Sequence, residues 1–338
     1  MPEPSPTPQR KRRGRLFRCG AAFAVLSAVA GYLVVQYVTG GSGGPGCKVV
    51  SGKGDGATYE FTPEQAVNAA TIAAVGTARD LPERAVTIAL ATALQESALR
   101  NIDYGDRDSL GLFQQRPSMG WGTPRQITDP AYASEKFYEH LEKVPGYTRL
   151  PLTVAAQKVQ RSGYPQAYAK HEPDATLLAA ALTGRSGATL TCDGRPAATR
   201  AKGADAVRAA LARDFGRDVL EPAGAEVDDA KGRSSSSSSP SSDASPGTEA
   251  ESGDGTVTLP VTTVSGDRRD AGARGWQLAH WAVANASELH IRSVTYAGRE
   301  WVAGHTDSRW RPLDGKGQAG SDGKATGEAE AVRITTGS

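Results

Sequence analysis

The chain has 338 residues, with 39 Lys and Arg against 37 Asp and Glu, for a formal net charge of +2. That length suffices for two domains of ordinary size, and the near balance of charge excludes a dedicated nucleic-acid binder. With 38% apolar residues the chain is too apolar to be mostly disordered, while 39 glycines and only 6% aromatics leave room for linkers.

Residues 1–20 hold Arg10, Lys11, Arg12, Arg13, Arg15 and Arg18 against Glu3, which leaves a net −3 for everything after them. This basic stretch reads as a cytoplasmic tail. Residues 21–38, AAFAVLSAVAGYLVVQYV, carry no charge, and at 1.5 Å per residue they would span about 27 Å, the lower end for a membrane helix. The basic run sets the amino end inside the cell and the bulk of the chain outside, facing the cell wall. A cleaved signal peptide fits less well, because the apolar run exceeds the usual ~7–15 residues and lacks a clean small-residue cleavage site. Residues 39–57 then form a tether.

Of the three cysteines, Cys19 precedes the apolar run, whereas Cys47 and Cys192 fall in the exported part. In an oxidising compartment those two are expected to pair and staple one domain, residues 58–195. Two cysteines cannot build a thiolate cage, so neither metal nor cofactor is expected.

Thr62-Pro63-Glu64-Gln65 is a capping box with proline at the first helical position. Further helices are expected from about Pro82, from Asp129-Pro130, over 151–160 and over 173–183, each with apolar residues at helical spacing. A helical extension covers 196–220. Residues 221–265, with six consecutive serines after Arg233, have the composition of a disordered linker. A small α/β module spans 270–312: a helix from Gly275 to His290, a strand over Ile291–Tyr296, a turn at Ala297-Gly298 and a return through Glu300-Trp301-Val302. Residues 313–338 read as a flexible tail. The expected fold class is mainly α, a helical domain behind one transmembrane helix with a small α/β carboxy-terminal module.

The chemistry centres on Gln95-Glu96-Ser97-Ala98-Leu99-Arg100-Asn101 and Ser109-Leu110-Gly111-Leu112-Phe113-Gln114-Gln115. Helical spacing puts Glu96 on the same side as Ile88, Ala89, Thr92 and Ala93, a largely apolar face. A carboxylate that loses hydration there keeps its proton toward neutral pH, as a general acid needs in order to protonate a poor leaving group. Ser97 and Asn101 are four apart. Gln114 and Gln115 offer amides for hydroxyl or acetamido groups, and Trp121 offers a flat apolar surface for a sugar ring. Asp103, Asp106 and Asp108 are the candidates for a second carboxylate. His280, His290 and His305 lack metal-ligand spacing.

Glu96-Ser97 followed by Ser109-Leu110-Gly111-Leu112-Phe113-Gln114 resembles the soluble lytic transglycosylase and goose-type lysozyme superfamily. There a catalytic Glu-Ser precedes Gly-Leu-Met-Gln; here Phe113 replaces Met. The resemblance implies a lysozyme-like fold, with Glu96 as acid and then base on the β-1,4 bond between N-acetylmuramic acid and N-acetylglucosamine. It also implies peptidoglycan strands as partner and no second carboxylate, because the substrate's N-acetyl group assists. The family's Ala-Tyr-Asn element is replaced by Ala155-Ala156-Gln157, so Tyr164 or Tyr168 must supply the tyrosine. The alternative is a non-catalytic glycan-binding or scaffold protein on the same fold. The stretch from Trp281 to Trp301 is similar to an accessory module of secreted actinobacterial proteins, where the tryptophans could bind wall or form core.

Overall fold

The computed structural model describes residues 46–162, 166–194, 203–220, 255–261, 271–304, 309–313 and 331–337. Pro45–Ser338 forms one compact unit. It opens with a three-stranded antiparallel sheet of β1 (Cys47–Val50), β2 (Thr58–Phe61) and β3 (Leu190–Cys192), in the order β2-β1-β3. Cys47 stands opposite Cys192 in the register, and the two form a disulfide with their Cα atoms 3.9 Å apart. The expected pairing of these two cysteines is therefore present, and it closes the helical body between its first and third strands.

Helix α1 (Pro63–Ala78) starts at the capping box: the Thr62 hydroxyl accepts from Gln65 N–H, and the Gln65 side chain accepts from Thr62 N–H at 2.7 Å. Its alanines, Ala66, Ala69, Ala70, Ala73 and Ala74, are all buried. Such small side chains let neighbours close in from several sides. Around α1 pack α2 (Glu83–Ser97), α4 (Pro130–Glu142), α6 (Glu172–Leu182) and α7 (Gly203–Phe215); a short α3 (Pro124–Ile127) leads into α4, and α5 (Leu152–Gln160) lies against α2 and α4. Asp129 caps α4 by accepting from the N–H groups of Ala131 and Tyr132.

The carboxy-terminal part builds a five-stranded antiparallel sheet, order β4-β8-β5-β6-β7, from β4 (Thr256–Pro260), β5 (Ile291–Tyr296), β6 (Arg299–Val302), β7 (Arg311–Pro312) and β8 (Ala331–Thr336). Pro260 ends an edge strand, where its missing N–H costs no ladder bond. Ala297 and Gly298 both take positive φ between paired Tyr296 and Arg299, the two-residue turn that matches strand twist. Helix α8 (Ala271–Ala284) stops at Asn285 before the single turn α9 (Ala286–Leu289).

Helix α8 is embedded in the helical body. Gln277 donates to the Thr77 hydroxyl of α1. His280 is fully buried; its Nδ1–H donates to Ala181 O at 2.8 Å, and its Nε2 accepts from Thr189 N–H at 3.3 Å. The Trp281 indole donates to Asp214 Oδ2 at 2.8 Å, which also accepts from the Thr71 hydroxyl at 3.1 Å. Trp301 and Trp310 donate to the backbone oxygens of Cys192 and Leu190 on β3. Trp281, Trp301 and Trp310 are buried and Trp276 packs edge-on against Trp310, so these tryptophans form core and are not a wall-binding surface.

Several expectations are corrected. The fold is not mainly α: two antiparallel sheets flank the helices. A transmembrane helix is not supported, because no helix among the described residues is long and apolar enough to cross a membrane, and residues 21–38 lie outside them. The linker over 221–265 ends early, since β4 is a paired strand, and the tail over 313–338 supplies β8 to the sheet interior. In both strands alternate residues are buried, Val257 and Leu259 in β4, Val332 and Ile334 in β8. That burial on a sheet face outweighs the polar, glycine-rich flanks that pointed to disorder.

Candidate functional site

Glu96 sits in the last turn of α2. The helix ends on Ala98 and Leu99, both with positive φ, and is closed by Ala98 N–H to Leu94 O and Leu99 N–H to Ala93 O, each at 3.1 Å. This is a left-handed C-terminal cap in which Ala98 stands where glycine is usual and the buried Leu99 follows it. Helix α1 holds the same turn from the side: Gln65 donates to Ala98 O and Asn68 to Leu99 O, each at 2.8 Å. The capping glutamine of α1 thus also fixes the backbone two residues beyond Glu96.

Opposite Glu96 runs the 101–121 segment. The Ser97 hydroxyl donates to Leu112 O at 2.8 Å, and Gly111 N–H donates to Ile102 O at 2.7 Å. Leu110 and Gln115 bridge to close a tight loop around Leu112 and Phe113, both fully buried. Gly111 has φ +71, and a Cβ there would lie 2.5 Å from Ile127 O, so only glycine fits. Phe113 stacks on Phe137 of α4, ring centres 4.6 Å apart, which gives it a packing role where the resembled family has Met.

Between these elements opens a cleft of ≈ 750 Å³ lined by Glu96, Gln114, Gln115, Trp121, His140 and Gln160 among others. Burial pushes the Glu96 carboxyl above its ordinary value. Two hydrogen bonds oppose that shift without cancelling it: the Tyr168 hydroxyl donates to Glu96 Oε1 at 2.7 Å, and the Gln160 side chain bonds the same carboxylate. Tyr168 is itself fully buried, and its own ionisation is suppressed first by burial. Gln160, the last residue of α5, is anchored by donating to Phe113 O at 2.7 Å.

The residues expected at the site divide into two groups. Glu96, Gln114, Gln115, Trp121 and Asp106 share the cleft, and Tyr168 touches Glu96 directly. Ser97 and Asn101 are taken up by the scaffold: Ser97 holds Leu112, and Asn101 donates to Thr128 O at 2.7 Å. Gln115 is buried and donates to Ala133 O, so it too serves mainly to fix the loop. Gln114 takes φ 48 and folds back on Gly111 O and Tyr104 O at 3.2 and 3.3 Å. Trp121 packs on the His140 ring at 4.2 Å between centres. Asp108 is held by Arg116 Nε–H at 2.7 Å and Ser118 N–H at 2.8 Å, which pull its carboxyl far below the usual range. Asp103 is exposed and not on the lining, so Asp106 is the second carboxylate of the cleft among the described residues. Tyr164 lies outside the described residues.

Sequence reasoning missed Gln160, His140, Gln65 and Asn68. Gln160 and His140 lie far along the chain from Glu96, on helices whose exposed faces look ordinary. Gln65 carried a visible capping signal, but its second bond, to Ala98 O, depends on the packing of α1 against α2. Among the described residues no group of three or more His, Cys, Asp or Glu is placed to hold a metal ion.

A model of the family described as VldE, C-terminal domain, matches residues 258–322. The match covers the start of the five-stranded sheet, α8, and β5 to β7, and does not reach Glu96 or its cleft. No curated protein matches the chain.

Proposed function

We propose that the chain is a glycan-cleaving enzyme of the peptidoglycan lytic transglycosylase or muramidase type, with Glu96 as acid and then base. The observation that carries the reading is a half-buried carboxylate lining a cleft and held by Tyr168 and Gln160. Such a group retains its proton toward neutral pH and can give it to a glycosidic oxygen. The C1–oxygen bond then breaks as the substrate's 2-acetamido oxygen closes on C1. The Glu96 carboxylate so formed takes a proton from the C6 hydroxyl, which attacks C1, releases the acetamido oxygen and leaves a 1,6-anhydro end.

Asp108 is committed to Arg116, and Asp106 is exposed on a loop. Neither is fixed opposite Glu96 as a water-activating base would be, which favours the substrate-assisted route. The Cys47–Cys192 disulfide favours an oxidising compartment outside the cytoplasm. Glycan binding without cleavage is the second reading, favoured by Gln114 folding back on its own loop. The test is mass analysis of soluble fragments released from purified peptidoglycan by the full chain. Anhydro ends support the proposed route, reducing ends replace it with hydrolysis by water, and binding without release supports the second reading.

A further inference from the structure

Gln114 lines the cleft, yet its side chain is spent on its own loop. The amide nitrogen donates to Gly111 O at 3.2 Å and to Tyr104 O at 3.3 Å, which uses both of its hydrogens. The amide oxygen fills the space a side chain at 105 would need: a Cβ on Gly105 would lie 1.9 Å from it. Gln114 also holds φ 48, a left-handed conformation that is costly for a residue with a Cβ. Strain of this kind persists only where surrounding contacts hold it, and it gathers at ligand clamps and switch regions. The other half of the contact is weakly tied. Asp103, Tyr104 and Gly105 are exposed, Tyr104 by 64%, and the bond from Gln114 is the one hydrogen bond among the described residues that joins these three to the rest of the chain. The loop beneath them is fixed without it: Leu110 bridges Gln115, Gln115 donates to Ala133 O, and Leu112 and Phe113 are buried. The Gln114 side chain and residues 103–105 can therefore part at little cost to the core.

We infer that Gln114 is an autoinhibitory latch: its amide is closed on the Tyr104 and Gly111 carbonyls, and an entering saccharide must draw it out before it can bond the ligand, which also frees residues 103–105. This rests on the glycan-cleaving reading above. Only the open fraction binds, so a latch worth about one net hydrogen bond lowers the apparent affinity about fivefold.

The experiment uses the full chain carrying Glu96→Gln, so that nothing is turned over, and measures its affinity for the alternating N-acetylglucosamine–N-acetylmuramic acid tetrasaccharide. Gly105→Ala is then added. Its methyl group takes the place of the tucked amide, the flexible end of a side chain, and presses the exposed 103–105 segment away from Ser109 O, 2.7 Å from the same position. Binding should tighten about fivefold, and Gln114→Ala added to Gly105→Ala should remove the gain. Unchanged or weaker binding by a Gly105→Ala chain that keeps its Tm overturns the latch and leaves the glycan reading standing. Binding by none of these chains removes both. Where Gly105→Ala lowers Tm, the latch is read directly by NMR in the chain with Gly105 intact. The Gln114 side-chain amide signals, identified by their loss in Gln114→Ala, should shift on saturation with the tetrasaccharide, and signals that stay in place overturn the latch.

Discussion

Glu96 is a destabilising residue in its own fold. Burial raises its pKa above the ordinary 4.5, so the folded state favours the proton more than the unfolded state does. Below the unfolded value both states are protonated and the group costs nothing. As pH rises through the folded value, the ionised carboxylate costs stability. Glu96→Gln should therefore raise Tm at pH 7 and leave it unchanged at pH 3, as thermal unfolding at the two pH values will show. Tyr168 acts in the opposite sense, because its hydroxyl stabilises the ionised form. Tyr168→Phe should cost about 1 kcal/mol of stability and move the alkaline limb of any pH–rate profile to higher pH, since Glu96 then holds its proton longer. A Tyr168 with only a packing role would leave that limb in place. The Glu96 carboxylate was legible as a candidate because Ala89, Thr92 and Ala93 share its helix face. Tyr168 was legible only as one of two alternatives, since no local spacing ties it to a residue 72 positions earlier.

Among the elements, the helices followed their local signals closely: the capping box at Thr62, the Asp129-Pro130 start and the Ala297-Gly298 turn all act as their residues dictate. Of the strands, β5 and β6 stood out, with their turn at Ala297-Gly298, and the others did not. β1 and β3 have four and three residues, too few for a period of two to show, and they pair across a sequence separation of 145 that only the cysteines hinted at. β8 has an alternating pattern, Val332, Ile334 and Thr336 inward, but a polar, glycine-rich flank hid it. The junction of α6 with α8 gave no sequence signal either. Gly184 has φ +77 in the turn after α6, and a Cβ there would lie 1.8 Å from the backbone oxygen of Ala273 in α8. Neither backbone can give way cheaply, so Gly184→Ala should cost at least about 2–3 kcal/mol. Denaturant unfolding checks this. A loss below about 0.5 kcal/mol would mean that α8 is not seated as described.

For the whole molecule, the carboxy-terminal sheet and α8 are part of the body that carries the site. Asp214, Thr77, Ala181 and the β3 carbonyls all find their partners there. A fragment ending near residue 220 would leave these groups without them, so activity must be measured on the full chain. His280 makes the tie pH-dependent. Full burial lowers its pKa to about 4 from 6.5, so the unfolded chain takes up a proton first as pH falls from 6.5 toward 4. That should remove on the order of 2–3 kcal/mol of stability between pH 7 and pH 4.5, read by chemical denaturation at the two pH values. The central claim concerns Glu96 and is tested most directly by the release of soluble glycan fragments from purified peptidoglycan, full chain against Glu96→Gln at matched binding. Removing a general acid costs about 10²–10⁴-fold in rate, so fragments should accumulate with the native chain and fall by that factor in the variant. Equal release by both proteins, or none by the native chain while it binds the polymer, would contradict the account.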